Sequence, residues 1–208
     1  MSDPRAGSAP VPFIGLTGGL GAGKSTALAA LQRLGAVTLS TDAVVHELYA
    51  DDEVRDLVVQ RWGPEVAPDG VVDRQAVARA AFAAPEERQW LEQLLWPRVG
   101  ARVVAFRQAA QDADPPPVAA VVETPLLFEA GMEGAYDATV AITAPEEVRA
   151  ARAAARGHAA VDERASRQLT QEEKAARATH HVVNDGDVAQ LEDRLAAVLA
   201  AVTAASGA

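Results

Sequence analysis

Gly18-Gly-Leu-Gly-Ala-Gly-Lys-Ser25 is the most informative segment of this 208-residue chain, because it fits the phosphate-binding pattern G-x-x-x-x-G-K-[ST]. The apolar run 13–17 before it predicts a buried strand. After it, the pattern predicts a helix from Lys24 to about Leu34. A phosphate loop needs a strand before it and a helix after it. This context therefore favours a true loop over a chance match in glycine-rich sequence.

Each position of this loop has a physical role. Glycines let backbone N–H groups approach phosphate oxygens without an intervening Cβ, and the helix N-terminus adds partial positive charge. Lys24 is expected to reach the β- and γ-phosphates, and the Ser25 hydroxyl to bind Mg²⁺, which prefers oxygen ligands. The predicted cofactors are ATP and Mg²⁺. The predicted nucleotide-binding residues of the loop are Gly19, Leu20, Gly21, Ala22, Gly23, Lys24, Ser25 and Thr26.

The rest of the chain alternates between strand and helix patterns. Further strands are predicted at 37–40, 118–122, 138–142 and 181–184, and helices at 42–50, 73–83, 85–96, 97–111, from 145 onward and at 187–202. Alternation of this kind predicts a parallel five-stranded sheet with helices on both faces, the α/β fold of P-loop NTPases.

We predict three parts in this fold. The nucleotide-binding core comprises residues 12–60, 117–148 and 179–203. The helical block 61–116 is too long for a simple crossover connection and is interpreted as an inserted acceptor-binding subdomain. Residues 149–178 are interpreted as a small helical lid.

Composition excludes several classes of function. The chain has no cysteine, which excludes disulfides, thiolate zinc sites and cysteine nucleophiles. Its net charge of −10 argues against a general nucleic-acid or membrane surface. Neither a signal peptide nor an apolar run of about 20 residues is present, so we expect a cytoplasmic protein without membrane partners.

Two acidic residues stand at predicted strand ends. Asp42 follows the second strand, where a carboxylate could orient or deprotonate an attacking hydroxyl. The alternative is that Thr41 or Asp42 is a plain helix N-cap. Glu123 ends the third strand, where P-loop proteins hold a Mg²⁺-bound water, although it could simply face solvent.

Basic residues are unevenly distributed. Between residues 149 and 167 five arginines face only two acids, leaving a local charge of +3. Arg149, Arg152 and Arg156 share one helix face, which predicts a lid over the triphosphate rather than a solvated basic face. The chain has only two lysines, and we interpret the second, Lys174, as part of a solvated charged face.

Six segments, taken in order, resemble the dephospho-CoA kinase family of P-loop kinases, in the nucleoside monophosphate kinase-like group. They are the loop segment 14–25, Ser-Thr-Asp-Ala-Val-Val-His at 40–46, Pro-Asp-Gly-Val-Val-Asp-Arg at 68–74, Glu-Thr-Pro-Leu-Leu-Phe-Glu at 123–129, Arg-Ala-Ser-Arg-Gln at 164–168 and Asn-Asp-Gly at 184–186. The resemblance implies transfer of the γ-phosphoryl group of ATP to the 3′-hydroxyl of dephospho-CoA. The partners it implies are these two small molecules, for a monomer or a small homo-oligomer.

The same resemblance implies roles for individual residues. Asp42 is the implied catalytic acid and His46 its neighbour, while Lys24 and Arg156 hold the spreading charge. Asn184 and Gly186 are expected near the adenine. The implied substrate-binding residues are Thr17, Asp42, His46, Arg74, Pro125, Leu126, Leu127 and Glu129, and the implied metal ligands are Ser25 and, through water, Glu123.

Two positions depart from the family pattern. Ser40 stands where the family usually has an aspartate, and Trp96 precedes Pro97 where it usually has histidine. We interpret Trp96 as a core residue. Two other functions remain open at this point: a P-loop kinase for a nucleoside, nucleotide or shikimate-like acceptor, and a nucleotide-binding regulator without catalysis.

Overall fold

The computed structural model of the protein describes residues 10–155 and 168–206. It contains a five-stranded, all-parallel sheet with strand order β2-β3-β1-β4-β5. The strands are β1 (Phe13–Gly18), β2 (Val37–Ser40), β3 (Ala120–Glu123), β4 (Ala138–Thr143) and β5 (His180–Val183). The predicted α/β fold with a parallel five-stranded sheet is therefore confirmed.

Helices connect these strands. They are α1 (Lys24–Arg33), α2 (Thr41–Leu48), α3 (Asp52–Trp62), α4 (Arg74–Phe82), α5 (Pro85–Asp112), α6 (Glu146–Ala155), α7 (Gln171–Arg177) and α8 (Val188–Ser206). Single 3₁₀ turns occupy Pro64–Val66, Pro68–Gly70 and Glu133–Ala135. Within the described ranges no helix has the length and apolar character needed to cross a membrane.

The predicted break of α5 at Pro97 is wrong, since one helix of 28 residues runs through it. A proline removes one N–H donor and displaces the carbonyl four residues earlier. Here that carbonyl belongs to Gln93, and both Gln93 and Pro97 are exposed. Water can therefore satisfy the freed carbonyl, and the helix continues. The last helix also runs beyond the predicted end at Val202 to Ser206.

The chain divides into two compact units. One lies within Met1–Leu39 and Phe106–Ala208 and contains the sheet. Its core is built around β1, all of whose residues are buried. The apolar stripe of α8 packs against α1, with Leu191, Leu195 and Leu199 almost fully buried. This packing fixes the helix that follows the phosphate loop.

The other unit is Ser40–Ala105, and Glu87 links two of its helices. Its carboxylate accepts two hydrogen bonds from Arg61, at 2.9 and 2.7 Å, and one from Trp62 Nε1 at 2.7 Å. Trp62 and Trp90 meet edge to face, with ring centroids 5.0 Å apart. Charged and aromatic contacts thus join α3 to α5.

Trp96 is 59% exposed, so its interpretation as a core residue is wrong. Leu94 and Leu95, just before it, are the buried residues of this turn. Successive side chains on a helix are rotated by about 100° around its axis, so Trp96 lies beyond the buried face and points to solvent.

We expect the Glu87→Gln variant to lose stability in a pH-dependent way. Hydrogen bonds from Arg61, and then from Trp62, hold the pKa of Glu87 below its usual value. The ionised carboxylate therefore stabilises the folded state above its unfolded pKa of about 4.3, and this contribution is lost as pH falls through the lower folded pKa. Urea midpoints should be lower for the variant at pH 7, and the gap should narrow below about pH 4.

The exposed Glu47→Gln variant is the matched control and should follow the wild type at both pH values. A gap of equal size at pH 7 and pH 3 would contradict this role for Glu87.

Candidate active site

The phosphate loop joins β1 to α1 and depends on glycine at two positions. Gly21 and Gly23 have φ values of 75° and 94°, in the left-handed region that other residues rarely adopt. Neither position has room for a side chain. A Cβ on Gly21 would lie 2.7 Å from the Arg149 carbonyl oxygen, and one on Gly23 would collide with the amide nitrogen of Asn184. The backbone can therefore turn inward only without side chains here.

Asn184 supports this loop directly. It is 3% exposed, and its Nδ2 donates to the carbonyl of Ala22 at 2.8 Å. Asn184 directly follows β5, so this strand carries its side chain to the loop. The sequence predicts Asn184 near the adenine, and the structure adds a bracing role in the loop. Gly186 is exposed two residues later, and a Cβ there would collide with Gln190.

Two arginines of α6 lie beside the loop. Arg149 Nε donates to the carbonyl of Leu20 at 2.9 Å, and its Nη1 pairs with Glu146 at 2.7 Å. Arg152 Nη1 lies 3.3 Å from the position a Cβ on Gly23 would take. This nitrogen is buried, and residues 10–155 and 168–206 provide no hydrogen-bond partner for it. Arg156, Arg164 and Arg167 of the predicted lid lie outside the described residues, as does most of the segment 164–168.

Lys24 and Ser25 open α1. The Lys24 ammonium donates to the carbonyls of Gly18 and Gly19, at 3.0 and 3.3 Å. The Ser25 side chain is exposed and Thr26 is half-buried. In the described part of the chain no cluster of three or more histidine or acidic side chains is arranged to hold a metal ion. A cation here would need oxygen atoms from the nucleotide as well.

Lys174 contradicts the prediction of a solvated face. Its side chain is completely buried, and its ammonium lies 3.0 Å from Glu129 Oε1 and 2.6 Å from the carbonyl of Pro125. Burial lowers the pKa of Lys174 from its usual value, and the hydrogen bond that its ammonium donates to Glu129 opposes this shift. Lys174 follows two acidic residues in α7, and this charged local sequence is typical of a solvated helix face. The scarcity of lysine was the only signal of a special role.

The segment after β3 contains several predicted site residues. Glu123 is 5% exposed, so it does not face solvent at the strand end. Thr17 is fully buried and its hydroxyl donates to the Pro125 carbonyl at 3.3 Å. Leu127 is also fully buried, packed so closely on Gly15 that a Cβ there would lie 2.6 Å from it. Thr17 and Leu127 therefore shape this segment from within, while Pro125, Leu126 and Glu129 are half-buried.

The Ser40–Ala105 unit contains the remaining predicted residues. The N-cap of α2 is Ser40, so the prediction that Thr41 or Asp42 caps this helix is wrong. Asp42 lies in the first turn, where a negative charge interacts favourably with the helix dipole. Asp42 and His46 are four residues apart and exposed, and this spacing places them on one helix face. Arg74 is exposed at the start of α4.

We expect Gly23→Ala to damage the loop. The substitution places a Cβ in a left-handed conformation, at a cost of about 1–2 kcal/mol, and displaces the Asn184 amide. ATP affinity, measured by isothermal titration calorimetry, should fall by about tenfold or more.

Gly134→Ala provides the matched control, because no atom lies within 4 Å of a Cβ at that position. Its ATP affinity should equal that of the wild type. Wild-type affinity in Gly23→Ala would show that the loop tolerates a side chain, against the geometry described above.

Several known proteins are similar to this chain over most of its length. The family model for dephospho-CoA kinase matches residues 12–190. The chain is 41% identical to the dephospho-CoA kinase of Moorella thermoacetica over 182 residues, 85% of each chain, and 36% identical to that of Thermus thermophilus over 194 residues, 92% of each. A crystal structure from Thermus thermophilus matches with a TM-score of 0.73 and 36% identity, over 93% of this chain and 98% of the other. The chain therefore belongs to the dephospho-CoA kinase family.

Proposed function

We propose that this protein transfers the γ-phosphoryl group of ATP to the 3′-hydroxyl of the dephospho-CoA ribose, giving ADP and coenzyme A in the final step of coenzyme A biosynthesis. The observation that carries the proposal is the glycine-dependent phosphate loop, braced by Asn184 and Arg149, in a chain that matches this family over residues 12–190.

The nucleotide binds at the loop. Its phosphates accept hydrogen bonds from the loop amides, and the Lys24 ammonium turns from the loop carbonyls to the phosphate oxygens. Arg152 supports this site, since its buried nitrogen lies beside Gly23 without a partner in the described ranges. An anionic oxygen would satisfy that nitrogen, because an unmatched buried cationic donor is costly. Asn184 and Gly186 lie on the adenine side, and Arg156 adds charge to the transferred group.

A divalent magnesium ion fits the residues present. The exposed Ser25 hydroxyl and the buried carboxylate of Glu123 are oxygen donors of the kind that Mg²⁺ prefers. Ser25 would bind the ion directly and Glu123 would hold one of its waters. When bound, the ion neutralises charge on the phosphate oxygens.

Roles on the acceptor side are assigned to individual residues. Asp42 accepts a hydrogen bond from the 3′-hydroxyl and takes its proton as the oxygen attacks the γ-phosphorus in line. His46 shares its helix face and assists it. Support for these roles comes from the exposure of both side chains and from the position of Asp42, two residues after the end of β2. Arg74, Leu126 and Glu129 contact the acceptor, and Thr17, Pro125 and Leu127 shape its site from beneath.

Phosphoryl transfer requires little covalent chemistry from the protein, so positioning and charge neutralisation supply most of the acceleration. We assign these tasks to the three predicted parts: the core holds ATP, residues 61–116 hold the acceptor, and residues 149–178 close over both to exclude water. A cytoplasmic location and a monomeric or small homo-oligomeric state stay predictions from the sequence.

Lys24→Ala should lower transfer from ATP to dephospho-CoA by about a hundredfold or more, because it removes a charge that stabilises the transition state. Product mass should show one added phosphate on the wild-type product, and circular dichroism should show an intact fold in the variant. Exposed Arg79→Ala is the control and should retain full activity. Normal turnover in Lys24→Ala, or ATP binding without acceptor-dependent turnover in the wild type, would contradict the proposal.

His46→Ala should lower kcat by about tenfold or more while ATP affinity changes less than twofold, because the side chain is assigned to the acceptor side. Asp42→Asn should show the same pattern with a larger loss. Glu47→Ala, an exposed change on the same helix, controls for effects on α2. An unchanged kcat in His46→Ala would remove this residue from the site.

A further inference from the structure

The second lysine of the chain lies at a junction of three segments. The Lys174 ammonium and the Thr17 hydroxyl both donate to one carbonyl, that of Pro125, at 2.6 and 3.3 Å. The same ammonium lies 3.0 Å from Glu129 Oε1, which also accepts the backbone N–H of Leu169 at 2.8 Å. Lys174 thus binds the segment 125–129 directly, and through the two acceptors of this segment it is linked to the end of β1 and to the chain that leads into α7.

Stability alone gives a weak reason for this arrangement. A buried ion pair loses the hydration of both ions, and well-packed apolar residues of similar size are often as stable or more so. Glu129 Oε2 is buried and has no hydrogen-bond partner in the described part of the chain, so the pair is not even fully satisfied. A buried pair of this kind is best justified where it fixes geometry that apolar contacts would leave loose.

The geometry fixed here is that of proposed acceptor-site residues. Lys174 holds both ends of the segment that follows β3: its ammonium binds the Pro125 carbonyl at one end and the Glu129 carboxylate at the other. Just before this segment, the buried Glu123 carboxylate also interacts electrostatically with the ammonium. Loss of the lysine charge would leave the Glu129 carboxylate without its cation, and Leu126 between the two anchored residues would lose its placement.

We propose that Lys174 is a positioning residue for the acceptor, acting through the Pro125 carbonyl and the Glu129 carboxylate. The proposal rests on the function proposed above. Lys174 itself touches no substrate, and its effect falls on acceptor use rather than on nucleotide binding, because its partners belong to the segment 125–129 and not to the phosphate loop.

Two variants separate positioning from simple stabilisation. Lys174→Met removes the charge but keeps a long, flexible side chain, and it leaves the Glu129 carboxylate without its cation. The double variant Lys174→Met with Glu129→Gln removes both charges and should recover most of the thermal stability lost in the single variant. Glu172→Gln, an exposed change on the same helix, is the matched control.

For a positioning role, the kcat/KM for dephospho-CoA should fall about 10- to 100-fold in both Lys174 variants, while the Kd for ATP stays within twofold of the wild type. The loss should be at least as large in the double variant, which also changes the acceptor-contacting Glu129, although its melting temperature recovers. Hydrogen exchange of the backbone amides at 126–129 should be at least tenfold faster in both variants and unchanged in Glu172→Gln.

Wild-type kcat/KM in the double variant would overturn the proposal, as would unchanged exchange of the amides at 126–129. Equal losses in ATP affinity and acceptor use would overturn it too, since they indicate a general loss of structure. If the wild-type protein transfers no phosphoryl group to dephospho-CoA, the proposed function is wrong, and the exchange measurement alone then decides whether Lys174 orders this segment.

Discussion

The structure depends on one constraint: several backbone N–H groups must point into the same small space at the end of β1. That arrangement requires left-handed backbone at Gly21 and Gly23, which glycine adopts readily, but glycine also leaves the free loop many other conformations. The surrounding residues supply what the loop lacks. Asn184 binds the Ala22 carbonyl from β5, and Arg149 binds the Leu20 carbonyl from α6. The loop is therefore shaped before any nucleotide arrives, which lowers the entropic cost of binding.

Much of this could be predicted from the sequence, because the loop motif and the alternation of strands and helices are local signals. The sequence predictions are wrong where tertiary packing outweighs a local preference. Pro97 predicts a helix break, yet the freed carbonyl faces water and α5 continues. Trp96 predicts burial by its size, yet the register of α5 turns it to solvent. Neither outcome can be deduced before the buried face of the helix is known.

Lys174 illustrates the opposite error. Its neighbours in sequence are charged, so the local pattern indicates a surface position, but its partners Glu129 and Pro125 are more than forty residues away along the chain. Pairing over such a separation leaves no periodic trace in one sequence. The same limit applies to Asn184, whose bond to Ala22 joins residues 162 positions apart. In both cases the residue was noticed by type or motif, and its role became visible only in three dimensions.

The hydrogen bond between Asn184 and Ala22 also completes a closed series of contacts through the protein. From the loop the chain enters α1, α1 packs against α8, α8 packs against β5, and β5 leads back to the loop through Asn184. The free energy of ligand binding at the loop is therefore linked to the stability of every element in this series. Nucleotide should thus protect the amides of α8 from exchange, although this helix supplies no residue to the site, and the carboxyl-terminal helix becomes a remote reporter of ligand occupancy.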